Sequence, residues 1–214
     1  MIRSGSLVGL VAALAGLAGA SGLTRAQSAD PGDPDLTIQA LIADPQTPAG
    51  GNQAGDVTIV EFFDYNCPFC KKAQPDLEKL VATDAGIRVV YKDWPIFGAG
   101  STAAARIALA AKWQGKYEVV HNALLDSPLR QGGADQIKEL AVKAGADGTM
   151  LDEALKTHSR EIDAVLARTE KQANKLGAPG TPVFLIGPFL FEKALDLEGF
   201  KKAVADARAK SKNP

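Results

Sequence analysis

The chain has 214 residues, of which 46% are apolar and 23% are charged, and its formal net charge is −1. These proportions are ordinary for a globular protein and exclude a fibre or a long disordered chain. A charge so close to zero does not indicate a nucleic-acid partner, and we expect none. The length allows one globular domain with an insertion.

A secretory signal peptide is predicted over residues 1–26. Arg3 is followed by an apolar stretch rich in Ala, Gly and Leu, and residues 24–26 form a plausible cleavage site, with a second candidate at residues 18–20. An uncleaved membrane anchor is the alternative, because no charged residue lies between Arg3 and Arg25. Its many small residues insert poorly, so we favour the cleaved signal. The predicted location is therefore periplasmic or otherwise extracytoplasmic, where disulfides persist.

Residues 27–55 are predicted to form an N-terminal tether. The segment is rich in Pro, Gly, Asp and Gln around one apolar patch at residues 36–42. That patch can form one or two helical turns, and the rest has the composition of a loop.

A strand, a helix and a second strand are predicted next. Residues 57–63 carry apolar side chains on both faces, which is typical of a central strand covered on both sides. The helix begins at Pro68 and runs to about residue 83, with a bend where Pro75 removes a hydrogen bond. A strand over residues 87–91 follows, and this order predicts a right-handed parallel unit.

The following stretch is helical in pattern up to Gly177. Ser101 and Thr149 are the predicted N-caps of two of its helices, and Gly132-Gly133 breaks the run. The helices are expected over residues 101–114, 116–125, 134–144, from about 149 onwards, and 160–176.

Two strands and one helix are predicted after this helical block. The strands lie at residues 183–186 and 189–191, and the helix runs from residue 196 or 197 to about 210. We therefore expect an α/β domain built from residues 56–98 and 178–214. An inserted helical subdomain at residues 99–177 interrupts it.

The two cysteines, Cys67 and Cys70, lie three positions apart where the first strand meets the helix. A helix N-terminus favours a thiolate on the first sulfur, so Cys67 is the predicted nucleophile and Cys70 the buried resolving thiol. A zinc half-site is the alternative, but no second C-x-x-C or H-x-x-x-H pair is present. We expect His121 and His158 to be surface or hydrogen-bonded helix residues.

From about residue 56 to residue 210 the chain resembles the DsbA-like branch of the thioredoxin superfamily, near the DsbG and ScsC-type exported proteins. The motif VEFFDYNCPFC at residues 60–70, the kinking Pro75, the helical insertion and GTP at residues 180–182 carry the resemblance. It implies a thioredoxin fold with an inserted helical subdomain. It also implies a cis peptide bond before Pro182, across from the nucleophile.

The resemblance also bears on substrate contacts. Thr181 can offer backbone hydrogen bonds to an extended substrate near the reactive sulfur. Pro182, Pro68 and Phe69 complete the predicted substrate-binding residues. Phe69 lacks the imidazole that the strongest oxidants of the family carry there, so we expect an intermediate redox strength. Lys71 and Lys72 can support the thiolate, but a solvated surface position is the favoured interpretation.

Glu61 lies six residues before Cys67 in an otherwise apolar strand, and the resembling family carries a glutamate at this offset. Its predicted role is to take the proton of Cys70 when that buried thiol attacks a mixed disulfide. A glutamate that faces an edge or forms a salt bridge is the alternative.

The predicted function is that of an exported thiol:disulfide oxidoreductase acting on cysteine-containing exported proteins. The redox-active Cys67–Cys70 pair needs no further cofactor, and a membrane redox partner is expected to reoxidise or reduce it. Whether the protein donates or rearranges disulfides is open. A periplasmic copper-binding or copper-tolerance protein is the alternative, because soft thiolates favour Cu(I).

Overall fold

The computed structural model describes residues 34–128 and 133–212. The predicted signal peptide at residues 1–26 and Gly132 of the predicted helix break lie outside these ranges. No helix within the two ranges combines the length and the apolar composition needed to cross a membrane.

Five strands form one mixed sheet in the order β1-β3-β2-β4-β5. Strands β2 and β3 are parallel, and the other three pairings are antiparallel. The central position predicted for β2 is confirmed, because it lies between β3 and β4. The bounds are Ala49–Gly51 for β1, Val57–Phe63 for β2, Ile87–Asp93 for β3, Val183–Ile186 for β4 and Phe189–Phe191 for β5.

Eight helices are described, and five of them lie between β3 and β4 in the chain, as the sequence predicts for the helical insertion. A short 3-10 turn at Lys112–Gln114 follows the third helix. The bounds are Ile38–Ile42 for α1, Pro68–Thr83 for α2, Ala99–Ala111 for α3, Tyr117–Asp126 for α4, Ala134–Lys143 for α5, Gly148–Thr157 for α6, Ser159–Lys175 for α7 and Leu197–Lys212 for α8.

The two faces of β2 pack into different clusters of buried residues. Ile59 and Phe63 face α2 and α8 within the larger cluster, whereas Val60 and Phe62 contact α1 and α7 on the opposite face. Side chains alternate along a strand, so Glu61 points to the same face as Ile59 and Phe63. The glutamate is therefore buried towards α2, the helix that begins at the cysteines.

Part of the predicted tether belongs to the sheet. Strand β1 pairs with β3, and its glycines allow a close approach: a Cβ on Gly50 would lie 2.8 Å from the Tyr91 hydroxyl, and one on Gly51 would lie 2.6 Å from the Ile87 carbonyl oxygen. Gly51 also has a φ of 64°, which favours glycine. The Gly-rich composition here reflects tight packing as well as loop structure.

Two predicted N-caps are wrong. Helix α3 is capped at Gly98 rather than at Ser101, because the Ser101 hydroxyl lies inside the helix and donates to Asp64. Helix α6 is capped by Asp147 rather than Thr149, with the Asp147 carboxylate accepting a hydrogen bond from a backbone N–H at 2.8 Å. Both residues had suitable side chains, and tertiary contacts or a better neighbouring acceptor decided the helix start.

Candidate active site

Cys67 is the N-cap residue of α2, and Pro68 occupies the first position of the helix. Proline suits this position because its missing N–H would have no partner there. Both Cys67 and Cys70 are buried free thiols, so the structure shows the reduced dithiol. The sequence prediction of a dithiol at a helix start is correct in its position.

The two thiols differ sharply in acidity. The pKa of Cys67 is lowered to about 6, first by a hydrogen bond from the Cys70 thiol and then by Thr181 and the backbone N–H groups of Cys70 and Phe69. Burial raises the pKa of Cys70 far above that of an ordinary thiol, and the adjacent Cys67 sulfur raises it further. At neutral pH, Cys67 is therefore the thiolate and Cys70 the protonated thiol.

The bond between Thr181 and Pro182 is cis, as the resemblance implies, and it lies against the first cysteine. In its protonated form, the Cys67 thiol donates a hydrogen bond to the Thr181 carbonyl oxygen at 3.1 Å. The Thr181 hydroxyl oxygen is also buried, and this side chain is the one that helps to lower the pKa of Cys67. This segment therefore places a backbone carbonyl beside the reactive sulfur, while its role in binding substrate stays a prediction.

Asp64, directly after β2, is a site residue that sequence reasoning missed. Its Oδ1 accepts hydrogen bonds from the Asn66 N–H at 2.7 Å and the Ser101 hydroxyl at 2.7 Å. Its Oδ2 accepts from the N–H groups of Ile96 at 2.7 Å and Phe97 at 3.0 Å. The carboxylate thus ties the loop that carries the first cysteine to the start of α3. An acidic residue that directly follows an apolar strand was the one available signal.

Glu61 is fully buried, and neither of its carboxyl oxygens has a hydrogen-bond partner. The alternative of an edge-facing or salt-bridged glutamate is therefore wrong. Burial, followed by the negative charges of Asp93 and Cys67, raises the pKa of Glu61 to about 8. The carboxyl group also acts on Cys70, whose pKa it raises. A carboxyl group with this acidity can both give and accept a proton near neutral pH.

Residues next to the cysteines differ in exposure. Phe69 is 61% exposed and Lys72 is exposed. The surface position favoured for Lys71 is wrong, because its Nζ donates to the carbonyl oxygens of Leu124 at 2.9 Å, Leu125 at 3.1 Å and Ser127 at 2.8 Å. These carbonyls end α4, and the ammonium group supplies donors that the last turn lacks. Lys71 therefore ties α2 to α4.

The two histidines have different surroundings. His121 is fully buried and hydrogen-bonded, the second of the two predicted environments: its Nδ1 lies 3.1 Å from the Tyr65 hydroxyl, while its Nε2 has no partner. Burial lowers the pKa of His121 to about 3, so the ring is neutral. His158 is partly exposed and its Nδ1 lies 2.9 Å from Glu161 Oε1, in agreement with the prediction.

No group of three His, Cys, Asp or Glu side chains in the described part of the chain is arranged as the ligands of a metal ion. The hydrogen bonds of His121 and His158 go to Tyr65 and Glu161 rather than to either thiol.

The chain is similar to parts of longer curated proteins. A Na⁺/H⁺ antiporter NhaA 3 from Salinispora tropica is 26% identical over 167 residues, which are 76% of this chain and 25% of that protein. A Na⁺/H⁺ antiporter NhaA 1 from Salinispora arenicola is 27% identical over 164 residues, 74% of this chain and 24% of that protein. The chain spans about a quarter of the length of these curated relatives.

Solved structures match over most of the chain. A thioredoxin-like oxidoreductase from Silicibacter pomeroyi is 39% identical, with a TM-score of 0.76 over 81% of this chain and 98% of that one. A periplasmic thioredoxin-like protein from Salmonella enterica serovar Typhimurium is 32% identical, with a TM-score of 0.72 over 80% and 95%. The thiol-disulfide exchange protein alpha-DsbA2 from Wolbachia pipientis is 30% identical, with a TM-score of 0.74 over 78% and 90%.

The predicted thioredoxin fold with its helical insertion is confirmed by these matches. Residues 58–205 also match the DSBA-like thioredoxin domain, from the second residue of β2 to the middle of α8. The matched span includes both cysteines, Glu61 and the cis bond before Pro182. The chain therefore belongs to the family of DSBA-like thioredoxin domains.

Proposed function

We propose that the chain is an exported thiol:disulfide oxidoreductase that exchanges disulfides with cysteine-containing exported proteins. A substrate sulfur and Cys67 Sγ form a mixed disulfide, and Cys70 Sγ is the sulfur that leaves or resolves it. The pair carries two electrons between its dithiol and disulfide forms, so the proposal includes no other cofactor.

The observation that carries the proposal is the opposite acidity of the two thiols at the start of α2. Cys67 has a pKa lowered to about 6 and is a thiolate at neutral pH, whereas the pKa of Cys70 is raised by burial. The stable thiolate of Cys67 is the better attacking and leaving group of the pair. The buried, protonated thiol of Cys70 resolves the mixed disulfide slowly unless a base lies near enough to take its proton. Glu61 is the carboxyl group suited to that proton transfer.

Substrate binding is proposed at the surface formed by the cis bond and the dipeptide between the cysteines. The Thr181 carbonyl oxygen, 3.1 Å from Cys67 Sγ, is placed to accept a backbone N–H of an extended substrate chain once the thiol proton is gone. Pro182 and Pro68 border the same sulfur, and the exposed ring of Phe69 offers an apolar contact.

The decisive test is catalysis by the purified mature chain. The oxidised form is mixed with a reduced two-cysteine peptide, the reduced form with a disulfide-bonded peptide, and both products are followed by mass. We expect exchange in at least one direction at a rate well above that of a double variant, Cys67→Ser with Cys70→Ser. Equal rates for the two proteins in both directions would refute the proposed activity.

Export and regeneration are further parts of the proposal. The similar Salmonella protein is described as periplasmic, and a dithiol that turns over needs a partner that restores its redox state. A membrane redox partner that reoxidises or reduces the pair is the proposed source. If residues 1–26 are a cleaved signal, the mature N-terminus should be found at Gln27 or Ser21 in a soluble extracytoplasmic fraction. Full-length protein that stays with membranes after salt washing would favour the anchor.

The residue at position 69 is expected to set the redox strength. Phe69 offers no charge to the Cys67 thiolate, so its support comes from hydrogen bonds and the helix start. A protonatable ring in Phe69→His should lower the pKa of Cys67 and raise the reduction potential by about 30 mV for each pKa unit. Thiolate absorbance against pH and equilibration with glutathione measure both quantities.

Phe69→Asn is the matched control, because asparagine is polar like histidine and close to it in size but carries no charge. A Phe69→His potential that is unchanged from that of the parent, or more negative, would show that position 69 does not control the potential, and equal potentials of Phe69→His and Phe69→Asn would show that charge at this position has no effect. Glu61 and Thr181 would then be the next residues to vary.

A further inference from the structure

A second buried acid accompanies Glu61 on the same face of the sheet. Glu61 of β2 is paired in register with Tyr91 of β3, and the next pair on that face joins Phe63 to Asp93. Glu61 is 0% exposed and Asp93 is 1% exposed. Neither has an ion pair with Lys or Arg among the described residues. Two buried carboxyl groups without a cation do not both ionise at low cost.

Hydrogen bonds distinguish the two acids. The Tyr117 hydroxyl donates to Asp93 Oδ2 at 2.7 Å, whereas Asp93 Oδ1 and both oxygens of Glu61 have no partner. A donor to a carboxylate favours its ionised form, and a buried carboxyl group without a donor is favoured as the neutral acid. The arrangement therefore places the negative charge on Asp93 and the proton on Glu61.

We propose that Asp93, held by Tyr117, is a positioning residue that keeps Glu61 protonated and so ready to exchange its proton with Cys70. The inference rests on the proposed function, because it assumes that Glu61 serves the exchange at Cys70. Asp93 forms and breaks no bond in this step. The negative charge of Asp93 acts on Glu61 by electrostatic repulsion on the shared face of β2 and β3.

The other groups around the pair do not supply a compensating positive charge. His121 of α4 is the basic side chain in the described aromatic cluster beside the pair, and burial lowers its pKa to about 3. Its ring packs against that of Tyr91 at 4.5 Å and that of Tyr117 at 5.6 Å. The titratable groups that face the pair are Asp64 and Tyr65 after β2, Tyr91 on β3, Cys67 and Cys70 at α2, and Tyr117 and His121 on α4.

The acidities of the pair agree with this placement of the proton. The pKa of Asp93 is raised to about 7 by burial, against which the hydrogen bonds of Tyr117 and Tyr65 act. The pKa of Glu61 is raised to about 8, with the charge of Asp93 as the largest cause after burial. Burial thus raises the pKa of both acids, and the placement of the proton follows from their hydrogen bonds, because Asp93 accepts one from Tyr117 and Glu61 accepts none.

The proton transfer balances in both directions. When a substrate thiolate attacks Cys67 Sγ of the Cys67–Cys70 disulfide, the sulfur–sulfur electron pair leaves on Cys70 Sγ. The proton of Glu61 passes to that sulfur, and Glu61 becomes a carboxylate. In the reverse step, Cys70 attacks the mixed disulfide and returns its proton to Glu61.

Asp93→Asn is the direct test, because asparagine keeps the shape and can still accept from Tyr117 but carries no charge. We expect the pKa of Glu61, followed in the reduced protein by carbon NMR of its labelled carboxyl group, to fall by about one unit or more from the parent value. In parallel, glutathione release from a preformed Cys67–glutathione disulfide reports the Cys70 step. The pH at which glutathione release reaches half its maximal rate should fall by about as much as the pKa of Glu61 does.

Two further variants keep the test decisive. Tyr117→Phe removes the donor to Asp93, so the proton should move towards Asp93 and the pKa of Glu61 should fall as well. This variant replaces Asp93→Asn if the latter does not fold. Tyr91→Phe is the control, because it removes only the hydrogen bond to Glu118. It should leave the Glu61 titration in place.

An unchanged Glu61 titration in Asp93→Asn, or an equal shift in Tyr91→Phe, would overturn the inference. Failure of the proposed function is a separate result. In that case the parent protein shows no exchange, or Glu61→Gln releases glutathione with the parent's pH profile, whatever the NMR titration shows.

Discussion

Cys67→Ser is expected to lower disulfide exchange to the background rate of the uncatalysed reaction, whereas Cys70→Ser is expected to accumulate covalent adducts with substrate proteins. Cys67 is the thiolate of the pair, because hydrogen bonds lower its pKa to about 6. Without it no mixed disulfide forms. Without Cys70 the mixed disulfide forms but no nearby sulfur resolves it.

Adducts are detected by electrophoresis without reductant, and treatment with a small thiol should release them. The Cys67→Ser, Cys70→Ser double variant is the control for nonspecific capture. Adducts on Cys67→Ser and none on Cys70→Ser would reverse the assigned roles.

Glu61→Gln is expected to stabilise the folded protein increasingly as the pH rises from about 4.5 to about 8. The folded pKa of Glu61 is raised to about 8 from an ordinary value of 4.5. Between these values the folded chain holds a proton that the unfolded chain has lost. The stability of the parent that is present below pH 4.5 is therefore lost as the pH rises through the folded pKa, by about 3–5 kcal/mol. Glutamine does not titrate and avoids this loss.

Urea unfolding of the reduced proteins at several pH values measures the difference between parent and variant. Glu192→Gln is the matched control, because Glu192 is exposed and its removal should change stability by less than about 0.5 kcal/mol at every pH. A constant difference between parent and Glu61→Gln across the pH range would mean that the Glu61 carboxyl group titrates normally in the folded protein.

Local patterns accounted for most of the elements and for the position of the dithiol. The apolar run at β2, the proline at the start of α2 and the two cysteines are close in sequence, and each has a direct physical reading. The cis bond before Pro182 lies far from the cysteines in sequence, and its prediction came from the family resemblance. Residue spacing alone leaves an ordinary proline at a strand start as an equal possibility.

Contacts between distant segments explain the errors. Ser101 has the side chain of a helix cap, but its hydroxyl donates a hydrogen bond to Asp64, which directly follows β2. Lys71 follows a helix start, where lysine is usually solvated, but the end of α4 comes close enough to bind it. For His121, rings from β2, β3 and α4 decide between the two predicted environments, a surface position and a hydrogen-bonded one, in favour of the second. The residues that contact each other in these cases are far apart in sequence, so no local sequence pattern contains both of them.

Asp93 shows the same limit for the site. In the sequence it is a charged residue just past the predicted end of a strand, and nothing nearby marks it as buried. The strand instead continues to Asp93, and the register with β2 brings that carboxyl group to the face of Glu61. Pairing between strands, rather than the local pattern, therefore creates the acid pair.

Whether Cys67 is the activated thiolate can be measured by ultraviolet absorbance against pH in the reduced parent, Cys67→Ser and Cys70→Ser. We expect one thiolate that forms near pH 6 in the parent and is lost in Cys67→Ser. Cys70→Ser should keep an acidic thiolate, because a serine hydroxyl can replace the hydrogen bond of the Cys70 thiol. A parent thiolate that forms only near the ordinary thiol value of 9.0, or one that persists in Cys67→Ser, would contradict the assignment of Cys67 as the activated nucleophile.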